Sequence, residues 1–228
     1  MFKKLIASAS MMIAAHGAVA SGLYSPYASP QTNHFYNLLF CDDIKIFKNE
    51  SAEKNSGLWA LLMADNPDKA ALRKLADDES NEGRMRALAY NRLRLLGVEV
   101  PSKKLLGVIV EVPLEQGLDV LAAFSEGGVR YLNQSGKIAV FEGGSTAVGR
   151  MAKNLIVSSQ PIVDRIGPWD KQRLPPPKSG NVRITFLVSD GLYFGEGPFQ
   201  VLQKDEMAGP VLSKAAQLLQ KVVEPRSK

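Results

Sequence analysis

Few residues of this chain could do nucleophilic or metal chemistry. It holds two histidines and one cysteine in 228 residues. His34 and Cys41 stand seven apart, two helical turns, a spacing that would place both on one face of a helix. Imidazole beside a thiol is the arrangement that activates a thiolate nucleophile. The apolar context Leu38-Leu39-Phe40 favours instead a small, buried, inert cysteine. Structural zinc sites draw on several Cys and His ligands, and a single cysteine cannot close an intramolecular disulfide. Asp42-Asp43 and Asp77-Asp78-Glu79 lack the alternating spacing of a calcium loop and read as solvated helix ends. No metal and no cofactor are expected.

Two further patterns resemble motifs of known chemistry. Gly144-Ser145-Thr146-Ala147-Val148-Gly149-Arg150-Met151 resembles the phosphate-binding P-loop, Gly-x-x-x-x-Gly-Lys-Ser/Thr. Arg150 and Met151 occupy the positions where that motif needs a phosphate-binding lysine and a magnesium-binding hydroxyl, so nucleotide binding is not expected. What remains is a glycine turn with a helix cap, or a plain anion site at a helix N-terminus built from Gly144, Gly149 and Arg150. Ser51-Ala52-Glu53-Lys54 matches the Ser-x-x-Lys of serine acyl-enzymes, with Lys178-Ser179-Gly180 and Ser189-Asp190-Gly191 resembling its companion motifs. The companions run in reversed order and the chain is short for that fold. Turn and helix-start composition accounts for all three.

The stretch Gly167 to Asn181, GPWDKQRLPPPKSGN, is different in kind. Its prolines and glycines forbid regular structure, and long structureless loops inside compact domains are commonly functional. It carries Trp169 close to Arg165 and Arg173, and Trp and Arg dominate binding hot spots. These three residues form the expected partner-binding site. The competing reading is that Trp169 folds back onto the core and the prolines stiffen a crossover.

The elements that must position these residues begin after a leader. Met1-Phe2-Lys3-Lys4, the uncharged run Leu5 to Ala15 and the small residues Ala18 and Ala20 have the order of a cleaved export signal. Cleavage is expected after Ala20, with the periplasm as destination and secretion to the medium as the alternative. Residues 21–33 read as an extended arm and 34–98 as a helical region. Helices are expected over 34–47, over 52–64, after Asn66-Pro67, and through Met85, Leu88, Leu93 and Leu96 to a stop at Gly97.

Residues 99–228 read as an α+β domain. Leu105 to Val112 suits a strand buried on both faces, 115–125 a short helix with Leu118, Leu121 and Ala122 on one side. A hairpin spans 129–142, a helix capped by Ser145 or Thr146 runs to Arg165, and Val182 to Val188 alternates as a strand. One or two strands are expected over 191–202. The chain closes on an amphipathic helix with Leu212, Ala215, Ala216, Leu219, Val222 and Val223 as its face. Helices laid on an antiparallel sheet are the fold class this order predicts. From Glu115 onward the element order resembles profilin- or roadblock-type domains, a likeness of architecture that carries no function.

Charge narrows the partners. The full chain has 28 Lys+Arg against 23 Asp+Glu, and losing Lys3 and Lys4 with the leader leaves 26 against 23. So even a balance gives no footprint for nucleic acid. No segment after the leader is long and apolar enough to span a bilayer. The residues therefore point to an exported, non-catalytic accessory or binding protein with a protein partner. The alternative is a periplasmic hydrolase whose catalytic set is dispersed in the sequence.

Overall fold

The computed structural model describes residues 23–48, 57–115 and 117–224. The leader and its cleavage point, and the Ser51–Lys54 pattern, lie outside them. Among the described residues the chain forms eight helices and a six-stranded antiparallel sheet, an α+β fold. The sheet order is β4-β3-β2-β1-β5-β6, built from β1 (Leu105–Leu114), β2 (Gly117–Phe124), β3 (Val129–Leu132), β4 (Ile138–Phe141), β5 (Asn181–Val188) and β6 (Gly191–Pro198).

Side-chain alternation divides these strands between two layers. Leu118, Val120, Ala122 and Phe124 of β2 face one way, into a core closed by the N-terminal helices. Leu121 and Ala123 face the other way, under α6 (Ala147–Arg165) and α8 (Ala208–Val223). A strand covered on both faces must be apolar at both parities. That explains a correction: the stretch read as a helix over 115–125 holds the strand Gly117–Phe124 instead. Leu118, Leu121 and Ala122 imitate a helical stripe only because apolar residues occupy both faces of β2. Gly117, paired with Leu114, sits close to a second turn, since a Cβ there would lie 2.4 Å from the carbonyl oxygen of Gln134. The likeness in element order thus has a strand where its first helix is expected.

The N-terminal layer holds α1 (Pro30–Leu38), α2 (Lys45–Lys48), α3 (Gly57–Met63), α4 (Lys69–Asp77) and α5 (Gly83–Leu95). α1 starts earlier than expected because Ser29 caps it, accepting from the Thr32 amide at 3.3 Å with Pro30 in the first turn. It also ends early. The chain leaves the helix at Leu39, and Cys41 takes a left-handed φ of 51°. Asp68 rather than Asn66 caps α4, its carboxylate accepting from the Ala71 amide at 2.8 Å. The residues before α1 are pinned down. Tyr27 donates from its hydroxyl to the Leu118 carbonyl at 2.8 Å, and Asn33 and Asn37 hold the backbone of Tyr27 and Tyr24.

On the opposite layer Thr146 caps α6, which contains Pro161 and reaches Arg165 as expected. Two details differ. β6 is followed by a single helical turn, α7 (Phe199–Leu202). The buried stripe of α8 is Val211, Leu212, Ala215, Leu218 and Val222, which leaves Ala216 and Val223 exposed.

Candidate functional site

The loop between α6 and β5 lies against the start of β6. The Trp169 amide donates to the Leu192 carbonyl at 2.7 Å, and its indole Nε1 donates to the Gln172 carbonyl at 2.9 Å. Its ring meets the edge of Phe194, centroids 5.1 Å apart at 74°, and the Lys171 ammonium lies 5.6 Å from its centre. Trp169 is half-buried, so part of its side chain remains open to solvent. Trp169 thus packs in part against β6.

Arg173 and Arg165 take different places. The Arg173 guanidinium is buried 3.9 Å over the Phe40 ring, with Nε donating to Asp42 Oδ2 and Nη2 to Asn37 Oδ1, each at 2.9 Å. The Tyr24 hydroxyl donates to the Arg173 carbonyl. Arg173 therefore fastens the loop to the N-terminal layer and offers little to a partner directly. Arg165, exposed at the end of α6, turns its Nη1 toward Met207 Sδ at 3.0 Å, away from this cluster.

Trp169 and Arg173 border a cavity of about 290 Å³. Asp42, Asn91, Arg94 and Asp190 also line it; Asn91 and Arg94 do not stand out in the sequence, and Asp190 does only as part of a turn-like triplet. Asp42 reads there as a solvated helix end. Three lining residues keep a buried oxygen without a hydrogen bond: Asp42 Oδ1, Asn91 Oδ1 and Asp190 Oδ1. Buried acceptors normally find donors, so these oxygens suit a hydrogen-bond donor, while the charges of Asp42, Asp170 and Asp190 are balanced in the lining by Arg94, Lys171 and Arg173. Burial pushes the Asp42 carboxyl above its ordinary range, and the adjacent Arg173 opposes that shift.

A second ionic group lies behind the loop. Glu111, wholly enclosed on β1, accepts from the Tyr36 hydroxyl at 2.7 Å, and Arg183 Nη1 lies 3.7 Å from its other oxygen. Arg183 also pairs with Glu196 at 2.6 Å and donates to the Leu174 carbonyl at 3.2 Å. Burial raises the Glu111 carboxyl, and the Tyr36 bond and the arginines pull it back.

The remaining sequence patterns resolve as follows. Because α1 ends at Leu38, the two-turn spacing of His34 and Cys41 is not carried by one helix. Cys41 is buried, and burial raises its thiol far above the ordinary range, against thiolate chemistry. At the α6 N-terminus the Thr146 hydroxyl accepts from the Gly149 amide at 3.0 Å, and Arg150 folds back onto the Ser145 carbonyl. A Cβ at Gly149 would lie 2.5 Å from the Gly144 carbonyl oxygen, so Gly149 serves close backbone packing. Among the described residues no His/Cys/Asp/Glu group could hold a metal, and no helix is long and apolar enough to cross a membrane. The chain matches no protein-family model and no curated protein.

Proposed function

We propose that this chain is an exported, non-catalytic binding protein that takes a protein partner on the Trp169 face. The observation that carries this reading is the preorganised loop. Arg173 anchors its base in the core while Trp169 stands half-exposed at the rim of a cavity whose walls hold three buried oxygens without donors. A rigid aromatic at such a rim loses little entropy on docking, and the cavity beside it would accept a hydrogen-bond-donating side chain of the partner. Glu111 and Cys41, two groups a hydrolase could use, are sealed in the interior. Export rests on the leader. Intact-mass analysis of exported material should give a chain beginning at Ser21, and a mature form that retains Met1 would exclude it.

The test of the site is Trp169→Ala. Partner recovery after in-cell crosslinking and mass spectrometry should fall, corresponding to about 2 kcal/mol or more for a central aromatic anchor. The melting temperature should barely change. A core tryptophan would instead cost about 3–5 kcal/mol of stability. Unchanged recovery, or a large melting shift, removes this site.

A further inference from the structure

A different cavity, about 610 Å³, opens where the α4–α5 connection, the start of β1, the end of β2 and the flank of α6 meet. Arg86 lies in its wall with 3 % of its side chain exposed. Nε donates to the Ala76 carbonyl at 3.0 Å and Nη1 to the Ser125 hydroxyl at 3.3 Å. Nη2 has no hydrogen bond. An oxygen of Glu79 lies 4.0 Å from it and 3.5 Å from the Lys104 ammonium, at or beyond hydrogen-bond reach. Glu79 is 79 % exposed, so its carboxylate hovers at the mouth without satisfying the buried cation. Lys153, on α6, also lines the cavity and makes no ion pair among the described residues.

The other carboxylate in the wall is already engaged. Glu126 Oε2 accepts from the Gly83 amide at 2.7 Å, at the first turn of α5, where the helix dipole favours an anion. Arg86, Lys104 and Lys153 thus face two carboxylates: Glu79 at the mouth, and Glu126, which keeps its charge but is turned to the Gly83 amide. The Ser125 hydroxyl, accepting from Arg86, keeps its own proton to donate. We propose that this cavity binds a phosphate group. Its oxygens would accept from Arg86 Nη2, the two ammonium groups and Ser125, while Glu79 swings into solvent. Three cations and a hydroxyl suit a tetrahedral dianion better than a two-oxygen carboxylate. The space falls in the range of roughly 300–1,000 Å³ typical of small-molecule sites, so a phosphate ester fits as readily as free phosphate. This site is independent of the Trp169 face.

Calorimetry on the mature protein, with inorganic phosphate, glucose 6-phosphate and glucose as probes, tests the proposal. Saturable binding of a phosphate probe, with none for glucose, is the expected result. A sugar phosphate bound about tenfold more tightly than inorganic phosphate assigns the site to an ester, and equal affinity assigns it to the free ion. Removing Arg86 also breaks core contacts, so the surface variants Lys104→Met and Lys153→Met carry the test. Together they should weaken binding about tenfold or more, while Glu79→Gln tightens it about threefold. No saturable heat up to about 10 mM of either phosphate probe overturns the proposal, as does affinity indifferent to the lysine variants.

Discussion

Arg173 donates to Asp42 and Asn37 and lies over Phe40, an environment that no rim residue has. Removing one member of a buried pair leaves the other charged and unsolvated. Arg173→Met should therefore cost about 3–5 kcal/mol by denaturant unfolding, where a surface arginine would change stability by about 0.5 kcal/mol at most. Asp42 and Glu111 add a pH signature. Burial holds both carboxyls above their unfolded values, so on acidification from neutral the folded chain takes up protons before the unfolded chain does. Stability attributable to these groups then rises as pH falls through that window, the reverse of ordinary acid loss. The stability advantage of wild type over Glu111→Gln should widen from neutral pH toward the carboxylate range, and a narrowing gap would contradict the burial argument. Residue type was legible here and depth was not. Trp169 and Arg173 stand out by chemistry, but only the packed chain tells that one faces out and the other in.

At the level of elements, legibility followed how many faces an element buries. α4, α6 and α8 each hide one side, and their apolar spacing is plain in the sequence, while α5, buried at every position from Met85 to Tyr90, is legible from its apolar residues and its stop at Gly97. β2 hides both sides and so carries no period to read. The turn at Gly144–Gly149 shows the same limit for glycine. Composition permits a phosphate cradle, whereas the geometry gives Gly149 a close backbone neighbour. Gly→Ala in a helix normally gains about 1 kcal/mol. Gly149→Ala should lose about 1–3 kcal/mol, because its Cβ would meet the Gly144 carbonyl and push the first turn of α6 off its seat. A stabilised variant in thermal melts would show that this approach is loose.

On the scale of the whole molecule, the sheet is the shared wall of two cores. Leu106, Ile109, Val120 and Phe124 are covered by the N-terminal layer, while Val108, Val110, Ile184 and Phe186 are covered by α6 and α8. Without the first layer the central strands would expose several large apolar side chains, each contributing about 1.5–3 kcal/mol when fully buried. Tyr27 bonded to Leu118 and Tyr36 to Glu111 then cross between the layer and the sheet, and Arg173 bonded to Asp42 ties the layer to the loop that leads into β5, polar contacts that need both sides in place. Chains coupled this way unfold as one unit. The two tryptophans allow a direct check, because Trp59 stacks on Phe47 in the N-terminal layer and Trp169 lies on the β6 side of the loop. In urea, the Trp59→Phe and Trp169→Phe variants each leave one fluorescent reporter. Each fluorescence transition should coincide with the same variant's loss of helical circular dichroism, giving one midpoint and one slope per variant. A Trp59 signal that melts ahead of the circular dichroism would mean that the helical layer detaches while the sheet survives. The loop that carries Trp169 would then be tethered to a dissociable cover, and its preorganisation would have to come from β6 alone.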